Sequence, residues 1–168
     1  MAVHHRERLG ALTLTSCDAF DHFPPPILRP MILAAKSKAT FRAVAQAMRA
    51  PAVRKRAFDG LAHSNIDAPT ELWMRPALSL PAVAEDLRRF TLALRTEVTT
   101  AARLYDFDKP TLIAWSADDV FFAQEDGARL AATIPNARHE VIAGARTFSM
   151  VDQPDRLADL LSTVAVRT

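Results

Sequence analysis

Few side chains in this sequence combine a reactive type with a suggestive position. Cys17 closes the apolar run Ala11-Leu12-Thr13-Leu14-Thr15-Ser16, and a thiol there could act as a nucleophile. A small buried hydrophobe is the plainer role for a cysteine at such a place. Asp18 comes next and reads as a turn residue. Asp118 and Asp119 follow a second apolar run, Thr111-Leu112-Ile113-Ala114-Trp115, where a carboxylate can cap the loop before the next helix. His4-His5 is a metal-binding fragment by type, but no carboxylate at zinc-site spacing accompanies it. The basic run Lys36, Lys38, Arg42, Arg49, Arg54, Lys55, Arg56 could face nucleic acid. It lies on amphipathic helices without an aromatic stacking motif, so a solvated helical face is expected. No metal, cofactor or nucleic-acid partner is implied.

These residues sit in a recognisable order of elements. Ala11–Cys17 and Thr111–Trp115 lack a polar alternation on one face, which suits strands buried on both sides of a parallel sheet. His139-Glu140-Val141-Ile142 is a shorter third strand, with His139 expected at the surface before it. Between the first two strands, Phe41, Val44, Ala45 and Met48 recur at helical spacing, with Thr40 placed to cap the start. A basic helix is expected from Pro51 to about His63, with Pro69 and Pro76 interrupting the piece around Glu71–Met74. Pro81 opens another helix, with Val83, Leu87, Phe90 and Leu94 on one face. Trp73, Met74 and Phe90 could line a substrate pocket, although core packing is their ordinary role. Glu125–Ile134 reads as a helix, and Pro154 starts a last one that carries Leu157, Leu160, Leu161 and Val164 on one face. Strands alternating with helices imply a parallel α/β arrangement with a helical block after the first strand.

Composition sets wide limits. The chain has 168 residues, 49% hydrophobic and 24% charged, with net charge +2, which is globular and not strongly basic. No stretch approaches the ~20 apolar residues of a membrane span. Met1–Gly10 lacks the apolar core of a signal peptide, so a cytoplasmic protein is expected. A single cysteine excludes an internal disulfide and a cysteine-based zinc cluster.

Lys109-Pro110-Thr111-Leu112-Ile113-Ala114-Trp115-Ser116-Ala117-Asp118-Asp119-Val120-Phe121-Phe122 resembles the seventh strand and following turn of α/β-hydrolases, often W-G-x-x-D-P-x-F. Val141-Ile142-Ala143-Gly144-Ala145-Arg146-Thr147-Phe148 resembles the eighth-strand turn, usually V-I-P-G-A-G-H-F. Asp152-Gln153-Pro154-Asp155 is similar to the E-x-P-E start of the last helix, and Arg6–Leu14 to the P-E-R-V-x-x-L-V-L approach to the sixth strand. The resemblance covers nearly the whole chain but only the C-terminal half of that fold. It implies a partial α/β-hydrolase fold, an α/β class with about three parallel strands, flanking helices and an inserted helical cap. Residues 1–23 and 105–168 would form the core, and 24–104 the cap.

The same resemblance implies hydrolysis of a small ester or a haloalkane-type substrate by a nucleophile, a base and an acid. Asp119 stands at the acid position, with Asp118 one residue out of register and Asp18 as the alternative acid that some haloalkane-dehalogenase-like members use. Thr147 stands where histidine is expected, and a threonine hydroxyl does not titrate near neutrality. His139, the nearest histidine, lies at the other end of the third strand. None of Gly10, Gly60, Gly127 and Gly144 brackets a Ser, Asp or Cys as a nucleophile elbow requires. The expectation is a protein truncated before the sixth strand, without elbow or catalytic histidine, and inactive alone. Two alternatives are a half-enzyme completed by a separate N-terminal chain, and a binding module using cap and sheet edge. The Ala11–Cys17 strand is expected to lie at an open edge that pairs with a second copy or a complementing chain.

Overall fold

The structure, a computed structural model, describes residues 2–20, 24–94 and 101–165. It divides into two compact units. The first comprises Met1–Phe23, Gly60–Ser64 and Thr96–Thr168, and the second Pro24–Asp59 and Asn65–Arg95. The five residues Gly60–Ser64 thus belong with the first unit, whereas the sequence reading left them inside the helical block. The sequence reading ends the cap at residue 104, whereas the second unit ends at Arg95.

The first unit is built on three parallel strands, β1 (Leu12–Thr15), β2 (Thr111–Ser116) and β3 (Ala137–Ile142), in the order β1-β2-β3. β1 pairs with β2 from Leu12 opposite Thr111, and β3 from Ala137 opposite the same residue. Every residue of β2 is buried, because it is the central strand and both its faces are covered. Successive side chains of β2 therefore feed opposite cores. Ile113 and Trp115 pack with Leu104, Phe107, Leu130 and Ile134, whereas Leu112 and Ala114 pack with Ile142, Leu157, Leu160 and Val164. β1 is only half-buried, and shorter than the Ala11–Cys17 run. β3 begins two residues earlier than expected, so His139 lies inside the strand, paired with Ile113, and not at the surface before it.

Helices after β2 and β3 supply the two covering layers: α6 (Gln124–Thr133), the single turn α7 (Ser149–Asp152) and α8 (Pro154–Ala165). Three of the four expected core positions of α8 are buried. Leu161 is exposed, because it lies at the rim of a stripe centred on Leu157, Leu160 and Val164. Gly127 in α6 marks the tightest approach, since an added Cβ would fall 2.7 Å from the Trp115 ring. Gly127→Ala should therefore destabilise the protein by about 1–3 kcal/mol through overpacking, against the usual helix-propensity gain. Urea melts that show equal or greater stability for the variant would refute this.

The second unit is helical: α1 (Arg29–Ala35), α2 (Lys38–Ala47), α3 (Pro51–Phe58), α4 (Asp67–Ser79) and α5 (Pro81–Leu92). The cap of α2 is Ser37, whose Oγ accepts from the Thr40 N–H, so Thr40 is the capped residue and not the cap. α3 stops at Phe58, short of His63, where Asp59 turns extended and Gly60 takes φ +91°. α4 runs through both prolines expected to interrupt it. Pro69 occupies the first turn, where N–H groups have no helical partner. Pro76 lies inside the helix at the cost of one hydrogen bond. Phe41 and Ala45 are buried, but Val44, Trp73 and Phe90 are exposed, so Trp73 and Phe90 do not pack as core residues. Arg54 leaves the expected solvated face. It is buried at 6% exposure and donates to Met48 O at 3.1 Å and to Glu71 Oε2 at 3.1 Å.

Candidate functional site

The polar residues of the first unit converge at the carboxyl ends of β2 and β3. The loops leaving these strands are stitched together there, since Ala117 N–H donates to Ile142 O and Asp118 N–H to Ala145 O, at 2.9 and 3.0 Å. Ser116 N–H donates to Ser16 Oγ, which ties the end of β1 to the same point. Asp119 Oδ1 then accepts from the N–H groups of Phe121 and Phe122, at 2.8 and 3.0 Å, and so closes the turn into α6. A third donor reaches the same oxygen, Thr147 Oγ1 at 3.0 Å. Oδ2 of Asp119 is buried without a partner among the described residues. Asp119 thus caps its turn and accepts from the Thr147 hydroxyl.

A second arrangement sits beside it. His63 Nε2 lies 2.9 Å from Asp118 Oδ2. Its loop is held by the Asp152 carboxylate, which accepts from the N–H groups of His63, Ser64 and Arg146 at 2.9–3.0 Å. Phe148 N–H donates to Leu61 O at 2.8 Å, closing the clamp. Burial pushes the Asp152 carboxyl up, but the backbone hydrogen bonds from Arg146, Ser64 and His63 outweigh it and hold the group below its ordinary value. Arg146 Nη1 reaches Ala62 O at 3.5 Å, and its Nε is buried without a partner among the described residues.

Of the other sequence candidates, Cys17 and Asp18 directly follow Ser16, and His139 lies within β3. Cys17 is half-buried and packs on the Trp115 side of the sheet. Burial, then the charges of Asp18 and Asp126, push its thiol up to about 11, so it is neutral at physiological pH and a weak nucleophile. Burial also raises the carboxyl of Asp18. His139 Nε2 is buried without a partner among the described residues, in mid-strand and away from the carboxyl ends. Among the described residues, no group of three His, Cys, Asp or Glu side chains could hold a metal ion. No described helix is long and apolar enough to cross a membrane. Sequence reasoning missed His63 as a site residue, because its approach to Asp118 spans 55 positions and depends on the Asp152 clamp.

A parallel sheet covered on both faces, with its polar cluster at the strand carboxyl ends, defines the open α/β class. Solved structures specify it further. A 2-hydroxy-6-oxo-6-phenylhexa-2,4-dienoate hydrolase from Rhodococcus sp. strain RHA1 matches with TM-score 0.74 at 11% identity, over 98% of this chain and 58% of that one. An α/β-hydrolase fold protein from Burkholderia ambifaria matches with TM-score 0.75 at 22% identity, over 98% and 60%. A serine hydrolase from Cycloclasticus zankles matches with TM-score 0.68 at 12% identity, over 94% and 56%. No family model and no curated protein matches the sequence. The chain has the α/β-hydrolase fold in part, spanning under two thirds of the length of these structures.

Proposed function

We propose that this chain is the cap-and-acid part of an α/β-hydrolase scaffold and does not by itself turn over esters or haloalkanes. The observation that carries this reading is the Thr147–Asp119 contact. The carboxylate that would orient a catalytic imidazole instead accepts from a threonine hydroxyl at 3.0 Å. That hydroxyl cannot take a proton near neutrality, and at the place that matches the resemblance no base stands on the acid. The raised Cys17 thiol removes the remaining nucleophile candidate. The helical unit Pro24–Asp59 with Asn65–Arg95 takes the place in the chain order that a cap insertion has. The ancestral substrate of the scaffold is a small ester or haloalkane-type molecule.

The half-enzyme reading is favoured by one observation, the position of β1 at the end of the described sheet, open on one side to a further strand. Under either reading, purified protein is expected to release no p-nitrophenol from p-nitrophenyl acetate, and no chloride from 1-chlorobutane, above buffer. Turnover that copurifies with the protein and vanishes in Asp119→Ala would overturn the proposal.

A further inference from the structure

Charge is divided unevenly between the two units. Pro24–Asp59 and Asn65–Arg95 hold twelve Lys and Arg against five Asp and Glu, and the rest of the chain nine against fourteen. No acidic residue occurs between Asp21 and Asp59, so α2 and α3 carry only cations. Part of this surplus is neutralised within the helical unit. Glu85 accepts from Arg88 and Arg89, at 2.8 and 3.2 Å, with Lys38 Nζ 4.0 Å away. A second group of cations has no such carboxylate. The lining of a cleft of about 340 Å³ includes Arg49, Pro51, Arg54, Glu71, Arg75 and Leu78. Glu71, Arg75 and Leu78 recur at i, i+4 and i+7, so one face of α4 supplies all three. Arg54 is the fixed wall, buried and bonded to Met48 O and Glu71 Oε2. The Glu71 side chain is 59% exposed, and solvent screening weakens its compensation of that buried cation. Arg49 donates only to neutral acceptors, Gln46 Oε1 and Leu78 O, at 2.6 and 2.8 Å. Arg75 has no hydrogen bond or ion pair among the described residues. α3 also starts at this cleft, at Pro51 and without a side-chain cap, so the positive end of its dipole adds to the field. Three guanidinium groups and one carboxylate leave the cleft with a surplus of two positive charges.

We propose that this cleft binds the dianionic phosphoryl group of a phosphate monoester. Two negative charges match the surplus, whereas a carboxylate leaves one cation unanswered. Guanidinium forks donate paired N–H bonds to phosphate oxygens, and three of them surround this space. Two of the three are held before any ligand arrives, Arg54 by Met48 O and Glu71, and Arg49 by Leu78 O and Gln46. Less side-chain freedom is therefore lost on binding. Arg75 forfeits no partner among the described residues when it turns to the anion. The cleft is larger than a phosphoryl group, and Pro51 and Leu78 offer apolar surface to the carbon part of the ester. Every residue of the site lies in the helical unit, so the site stands whether or not the sheet unit supports hydrolysis.

The test is calorimetric titration of the full chain with inorganic phosphate, glycerol 3-phosphate and acetate, in a buffer free of other multivalent anions. Inorganic phosphate is expected to bind with a Kd of about 1 mM or tighter, and acetate about tenfold or more weakly than that. Arg75→Gln and Arg49→Gln should each weaken phosphate binding by about tenfold, the lower range for a charge-assisted hydrogen bond. Both side chains are exposed, so neither variant should disturb the fold, which circular dichroism checks. Arg56→Gln removes an exposed charge from the same helix α3 but outside the cleft, and should change the affinity by less than about twofold. Vesicles of phosphatidylcholine with phosphatidic acid, a monoester lipid, or with phosphatidylglycerol, a diester, separate the two sources of the group. Binding of glycerol 3-phosphate assigns a soluble ester, and binding of phosphatidic acid vesicles alone assigns a lipid headgroup; either supports the site. No saturable binding of either ester overturns the proposal, even where inorganic phosphate binds. So does equal affinity for acetate, equal binding of phosphatidylglycerol vesicles, or a loss in Arg56→Gln as large as in Arg75→Gln, which would reflect the general positive field of the unit. Ester hydrolysis, in either direction, bears on the hydrolase reading alone.

Discussion

Asp152→Ala is expected to lower stability by about 3 kcal/mol and to free the loop Gly60–Ser64 from the sheet unit. Hydrogen bonds to a charged group contribute roughly 1.5–3 kcal/mol each when sheltered, and partial exposure of this carboxylate reduces that by solvent screening. Three backbone N–H groups, of His63, Ser64 and Arg146, depend on it. The pH dependence has a definite sign. Burial raises the carboxyl, but the hydrogen bonds from Arg146, Ser64 and His63 prevail, so its folded value lies below its unfolded one. The stabilisation is therefore fully present above the unfolded value and is lost as pH falls through the folded one. Asp152→Asn should be weaker than the parent at neutral pH and should lack that part of the acid dependence. Urea melts from pH 3 to 7, with amide exchange at His63, Ser64 and Arg146, measure both effects. A loss below about 0.5 kcal/mol, the range of indifferent surface changes, would show that the clamp contributes little.

The same clamp explains which parts of this protein were legible in its sequence. Local signals were read correctly where a local cause acts. The Thr111–Trp115 run announces a strand buried on both faces, and β2 is that strand at the centre of the sheet. Pro81 and Pro154 open helices, because proline suits a first turn. Signals failed where the cause is remote or graded. Pro76 reads as a breaker, yet α4 carries it. Leu161 fits the apolar stripe of α8 but lies at its exposed rim. At the site, Asp119 was visible as a carboxylate after a strand. That one of its oxygens would take three donors, and the other none among the described residues, required the turn and the β3 loop to be in place. His63 was invisible as chemistry, since a carboxylate 89 positions away holds its backbone. Loops that are tied to a sheet by side-chain-to-backbone bonds carry no periodic pattern, and reactive residues on them escape sequence inspection.

The chain is expected to associate along β1, and Thr13→Lys to weaken that association by about tenfold or more, since Lys on an edge strand is a natural deterrent to pairing. β1 lies at the end of the described sheet, so one row of its backbone N–H and C=O groups faces away from β2. The strand offers Leu12, Thr13, Leu14 and Thr15, all half-buried, with no charge or proline among them. Three strands are also few for an independent parallel core. Backbone pairing and apolar contact therefore act in the same direction, and a second copy or a complementing strand satisfies both. A lysine at Thr13 brings a charge whose desolvation opposes the approach, while the β1–β2 hydrogen bonds need no change. Sedimentation over a range of concentrations reads the effect, with far-ultraviolet circular dichroism to confirm that the variant keeps its fold. A parent protein that stays monomeric and monodisperse, with one cooperative melt, would show that β1 is satisfied within the chain and would remove the half-enzyme reading with it.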